Sequence, residues 1–253
     1  MPQDTVFTKF QHSLTYVFQY PNWLARAWPI LLAPFIPIIG ILSLFLLKGW
    51  RFEMVRSIAE ERNELPPVDI VLWLKRGAIL WAALFAYFLV PWIVCRLLGV
   101  SGIFDMISDI HLLFTEGVEA FIQDVGSDLL TAFIVYSVWA LISAPTFQCG
   151  MVRYVLSGDW RKLFGFVPNV YFVLTNIGMF ISFFVMWVLF VVSVFLLDFL
   201  LAATFVGAIL IPLVTITLFY VATAHELGEL ALKVKRAQAL HESRQIQSTE
   251  VTP

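Results

Sequence analysis

"LFGFVPNVYFVLTNIGMFISFFVMWVLFVVSVFLLDFLLAATFVGAILIPLVTITLFYVATA", residues 163–224, contains one charged side chain, Asp198. A helix crossing a bilayer needs about 20 mostly apolar residues, because roughly 30 Å of hydrocarbon offers no water to its backbone N–H and C=O groups. This run is far too long for one crossing. It reads as a hairpin of two spans turning near Asp198, and that makes the chain an all-α, polytopic transmembrane helical bundle.

The remaining sequence agrees. Its 253 residues include 24 Phe and 9 Trp, and mean hydropathy is +0.86, well outside soluble usage. Charge is also absent from 28–47, 77–95 and 129–152. About five spans are expected, near 28–47, 77–95, 129–152, 168–195 and 200–224. Residues 1–27 would form an N-terminal amphipathic interfacial helix, 28–225 the transmembrane domain, and 226–253 a cytoplasmic tail, partly disordered. A net charge of −2 without a basic block gives no purchase on nucleic acid. Cys95 and Cys149 stand alone inside predicted spans, so they read as packing residues rather than a zinc site or a disulfide. No cofactor is indicated. "MPQDTVFTKF" lacks the basic region, apolar core and cleavage site of a signal peptide, so the first apolar segment is expected to be retained.

Lys and Arg at the ends of spans stay on the cytoplasmic side. Here they cluster at Lys48, Arg51, Arg56, Arg62, Lys75 and Arg76, at Arg153, Arg161 and Lys162, and at Lys233, Lys235, Arg236 and Arg244. Lys9, Arg26 and Arg96 fall elsewhere, while 97–152 holds six acids and no base. Residues 48–76, 153–162 and 226–253 are therefore expected in the cytoplasm, with the acidic 97–128 loop and the Asp198 turn outside. Five spans would put the N-terminus outside. A second arrangement stays open, because Pro29, Pro34 and Pro37 each remove a helix hydrogen bond. A re-entrant hairpin at "PILLAPFIPIIG", residues 29–40, would leave four full spans and the N-terminus inside.

Val6, Phe7, Phe10, Leu14, Val17 and Phe18 recur at helical spacing opposite Lys9, Gln11, His12, Ser13 and Thr15, with Asp4 or Thr5 as N-cap. Such a helix lies on the membrane or packs on the protein's own core. In the first loop Glu53, Arg56, Ser57, Glu60 and Glu61 share one helix face and Trp50, Met54, Val55 and Ile58 the other. Its charges pair at i, i+3 and i, i+4. Leu65-Pro66-Pro67 should stop that helix, Asp69 can cap the next, and Trp73 with Lys75 and Arg76 reads as an interfacial anchor. Met54-Val55-Arg56 and Met151-Val152-Arg153 each follow a span, which an internal duplication would explain.

Tyr20-Pro21, Trp23, Pro34 to Pro37, Gly49-Trp50, Arg56, Leu65-Pro66 and Asp69, with the later "MVRYVLSGDWRKLFGF", form a recurring pattern. It resembles an uncharacterised family of polytopic bacterial and archaeal membrane proteins, a domain of unknown function, over most of residues 15–195. The resemblance implies a helical protein of a prokaryotic cell membrane and supplies no activity or catalytic residue. It also marks the first loop as a candidate docking surface, carried by Arg56, Arg62, Asp69 and Trp73.

Other candidate sites are thinner. "HELGE" places His225 and Glu229 at i and i+4 with Glu226 as a possible base, but a catalytic zinc needs a third ligand. Asp105, Asp109, His111, Glu116, Glu119, Asp124 and Asp128 could gather a cation, yet they lack the alternation of acids and Gly that calcium loops show. Polar side chains within spans are few: Thr146, Gln148, Asn176, Thr215 and Thr217. Pro91, Pro145 and Pro212 can kink spans. Ala78, Ala82 and Ala86, and Ala203 with Gly207, let helices approach closely. The expectation is a non-catalytic accessory, scaffold or assembly subunit of a membrane complex, in contact with the lipid bilayer and a membrane-protein partner or a second copy. The competing expectation is a small transporter or lipid-handling protein.

Overall fold

The computed structural model describes residues 6–32, 40–62, 64–100, 118–204, 211 and 215–250. Among these the fold is all-helical, without strands. Eight α-helices follow in order: α1 (Val6–Thr15), α2 (Trp23–Leu32), α3 (Gly40–Ala59), α4 (Ile70–Leu97), α5 (Val118–Ser157), α6 (Phe166–Thr175), α7 (Ile177–Ala202) and α8 (Val221–Glu250). Among the described residues three stretches are long and apolar enough to cross a membrane: α4, Asp128–Ser157 of α5, and α7. The expected spans at 28–47 and 200–224 fall partly outside the described residues, as do Pro34, Pro37, Gly207, Pro212 and the 101–117 part of the acidic loop.

The hairpin of α3 and α4 organises the bundle. Helix α3 ends at Ala59, where the N–H of Arg62 reaches back to the carbonyl of Ser57 at 2.9 Å and Glu61 takes a left-handed φ of 57°, a helix end that usually recruits Gly. Asp69 then caps α4, its Oδ1 accepting from the N–H of Leu72 at 2.9 Å. The two helices touch backbone to backbone through glycine. A Cβ on Gly49 would meet the Trp73 carbonyl, and one on Gly77 would meet the Phe45 carbonyl. Small residues permit such close approach between membrane helices.

The largest buried side chains, Trp50, Phe52, Met54, Trp73, Tyr154, Met151, Leu163 and Leu227, form one core. It gathers at the end of the bundle where the bases lie. Helix α8 closes it: residues 226–250, read from the sequence as part of a tail, continue the helix. Leu227, Leu230, Ala231 and Val234 recur at helical spacing and are buried, and Lys235 Nζ donates to the Ala59 carbonyl at 3.1 Å. The charged residues between them hid an amphipathic stripe.

Two boundaries also differ from the expected spans. The run 168–195 is broken at Asn176, whose backbone N–H and side-chain Nδ2 both bond the Phe172 carbonyl, ending α6 before α7 begins. Helix α7 then continues through Asp198 to Ala202, so Asp198 sits in the helix rather than at a turn, and Thr215 Oγ1 donates to its Oδ2 at 2.9 Å. Residues 118–127 belong to α5 rather than to a separate surface piece.

Helix α1 packs on the protein itself. Phe10 stacks on Phe190 of α7 at 4.9 Å, and Ser13, fully buried, bonds side chains of α8. Farther on, Arg26 of α2 pairs with Glu64 at 3.0 Å and donates to the Leu65 carbonyl. The N-terminal helices therefore stand at the same end of the bundle as the first loop and α8.

Candidate functional site

Three polar groupings stand out, and the first is the expected docking surface. Arg56 Nε binds Glu60 Oε1 at 2.8 Å, and Arg62 binds the other oxygen of the same carboxylate. Both arginines border a cleft of about 520 Å³ with Arg26, Ser57, Glu64 and Pro66. Asp69 is committed to capping α4. Trp73 is 0% exposed, so the interfacial anchor expected there is a core residue, because Gly49 lets α3 lie directly over it. The first loop thus brings Arg56 and Arg62 to a surface and takes Trp73 away from it.

The second grouping is the "HELGE" stretch. It lies on one unbroken helix, and Gly228 serves helix packing, since a Cβ there would lie 2.7 Å from the Cβ of Ile58. Ser13 Oγ donates to Glu226 Oε1 at 2.5 Å. Having one proton, it must accept from His225 Nδ1, 2.9 Å away. That leaves Nε2 as the bare nitrogen of a buried ring flanked by Tyr16 and His12, at 4.3 and 5.1 Å between centroids. Burial, then the His12 charge, lowers the His225 pKa to about 3, while burial raises that of Glu226. Among the described residues no three His, Cys, Asp or Glu side chains converge as metal ligands.

The third grouping was not singled out from sequence. Lys48 and Arg51, counted there only as orientation markers, project from one face of α3 into the bundle. Lys48 borders a cavity of about 180 Å³ between α4 and α5 with Tyr87, Phe88, Tyr136, Trp139 and Gln148, and its Nζ lies 5.7 Å from the centre of the Trp81 ring. Arg51 is 5% exposed, and its Nε and Nη2 are buried without a hydrogen-bond partner among the described residues, as is Gln148 Oε1. The signal in the sequence was spacing. Two bases three residues apart, directly following a long apolar run, share a face with the core.

The other polar side chains within spans make local bonds. Thr146 donates to the Ile142 carbonyl and Asn176 to that of Phe172. Arg76, at the entry of α4, lies 3.5 Å from Glu53 and against the rings of Phe52 and Tyr154. The side chains of Glu119, Asp124 and Thr217 lie outside the description. The two Met-Val-Arg segments are placed alike: Met54, Val55, Met151 and Val152 are buried, while Arg56 binds Glu60 and Arg153 binds Asn169 at 2.6 Å.

A family profile described as "Protein of unknown function (DUF4013)" matches residues 32–206. The chain belongs to this family, as the resemblance of its first loop and second half implied. No curated protein and no solved structure matches it.

Proposed function

We propose that this family member is a non-catalytic, multi-pass protein of a prokaryotic cell membrane that serves as an accessory or assembly subunit of a larger membrane complex. The observation that supports this reading is the bareness of α5. Only 11% of its membrane-length stretch is buried within the chain, against 28% for α4 and for α7. Leu130, Phe133, Ile134, Val138 and Leu141 are all exposed, and at spacings of i, i+3, i+4, i+8 and i+11 they form one broad apolar face of the helix. A span so little covered by its own bundle suits contact with helices of another chain, either a partner or a second copy.

In this reading the basic end of the bundle is cytoplasmic, and the contact between Arg26 and Glu64 supports placing the N-terminal helices there too. The reading is tested with a photo-cross-linking residue at Phe133 or Leu141 in native membranes. A discrete protein adduct is expected, whether to a second copy or to another membrane protein. Adducts to lipid alone at both positions would count against the accessory role. The half-buried Lys48 and the buried Arg51 favour a second reading, in which the protein handles lipid.

A further inference from the structure

Lys48, half-buried, and Arg51, buried, place two positive charges one helical turn apart on the bundle-facing side of α3, and no carboxylate pairs with either among the described residues. Burying an unpaired charge is costly, and like charges on one face add to the cost. The level at which Lys48 sits sharpens the problem. Its amine is beside Trp81 and its cavity reaches Leu84 and Phe88, one to three turns deeper along α4 than Arg76. On α5 the same cavity is bounded by Tyr136, Ala140 and Gln148, also short of the exit at Arg153. Ionisable groups at such depth usually serve a ligand or an ion path.

The walls indicate which ligand. Away from Lys48 and Gln148 they are aromatic and aliphatic, and a second cavity of about 310 Å³ lies beyond the bar made by Trp139, whose Nε1 donates to the Tyr87 carbonyl at 2.9 Å. That second space is bounded by Ala86, Val90, Phe164 and Phe166 as well. Phe88 and Ala140, both exposed, rim the first cavity on the outer, apolar faces of α4 and α5. Entry is therefore lateral, from the bilayer, and favours a molecule that already resides there.

We propose that the cavity between α4 and α5 binds a lipid anion, with its acidic head group on the Lys48 amine near Arg51 and the Gln148 amide, and its apolar tail along Tyr87, Phe88, Tyr136 and Trp139. The inference goes beyond the accessory role and does not depend on it, since it concerns a site enclosed by this chain alone.

Equilibrium binding to the full chain in detergent micelles tests it with three probes: oleate, oleyl alcohol with the same tail and no charge, and acetate with the same head and no tail. Oleate should bind saturably at least tenfold more tightly than oleyl alcohol, and acetate should not displace it. Lys48→Met should weaken oleate binding tenfold or more and leave oleyl alcohol unaffected, whereas Ala140→Phe, which blocks the rim, should weaken both. If Lys48→Met does not fold, Lys48→Gln and Ala140→Phe carry the comparison. Equal binding of oleate and oleyl alcohol, displacement by acetate, or undiminished oleate binding in the folded variants would overturn the proposal.

Discussion

Gly49 faces the carbonyl of Trp73 so closely that a methyl group on its Cα would lie 1.8 Å from that oxygen, and one turn away Gly77 repeats the arrangement against Phe45 at 1.9 Å. Each helix thus presents a glycine to the other's backbone. Gly49→Ala or Gly77→Ala must push α3 and α4 apart, and because the obstacle is backbone it cannot rotate aside. Each substitution should destabilise by about 3 kcal/mol or more, at the upper end of overpacking effects. Thermal unfolding in detergent checks this, with Gly178→Ala as the control, since a Cβ there meets nothing within 4 Å. An unchanged midpoint for Gly49→Ala would contradict the close crossing.

The contact of α1 with α8 should weaken in acid. His225 has a folded-state pKa lowered to about 3, chiefly by burial and then by His12, against about 6.5 when unfolded. Below pH 6.5 the unfolded chain takes up a proton that the folded one refuses, so stability falls as pH drops toward 3. Glu226, raised by burial, acts in the opposite sense and returns part of the loss as it protonates. Comparing unfolding midpoints at pH 7 and pH 5 should show a smaller drop for His225→Gln than for the parent. Equal drops would mean that His225 is not the responsible group.

Arg26 and Glu64 form a partly exposed pair, worth less than about 1 kcal/mol, so their value lies in what they report about topology. Because the contact joins the tips of two long side chains, cysteines at both positions should be linked in native membranes by a short bifunctional thiol cross-linker rather than by a direct disulfide. The five-span arrangement, with the N-terminal segment outside, separates the two positions by the bilayer and predicts no cross-link.

Helix α8 should bear structural weight along its inner stripe only. Leu227→Ala removes a side chain with 0% exposure and should cost about 2–5 kcal/mol. Leu240→Ala changes a residue 61% exposed and should stay within about 0.5 kcal/mol. Comparable losses at both positions would show that residues near 240 are packed in the working protein.

Periodicity and charge made the membrane class, the α3–α4 turn and the Asp69 cap readable, because each depends on neighbours in sequence. What escaped depends on neighbours in space. Gly49 could not be assigned a role until Trp73 was found against it, and Trp73 looked like an interfacial anchor because Lys75 and Arg76 stood beside it. The packing of the tail was hidden for a similar reason: Lys233, Lys235 and Arg236 dominate its composition, while its buried stripe needs the face of α3 to become visible. Lys48 and Arg51 were visible as charges, but the absence of a carboxylate beside them among the described residues is a property of the folded bundle. His225 and Glu226 drew attention only as a candidate zinc ligand and base. The residue that engages them, Ser13, lies at the other end of the chain.

Helix α5 runs 40 residues without interruption, about 60 Å at 1.5 Å per residue, roughly twice the hydrocarbon thickness. Met151, Val152 and Tyr154 hold one end of it in the main core, and farther along Ala132 packs with Cys95 and Val100, so the helix is gripped at two levels. A shift of α5 in the main core is thereby carried to the far end of α4.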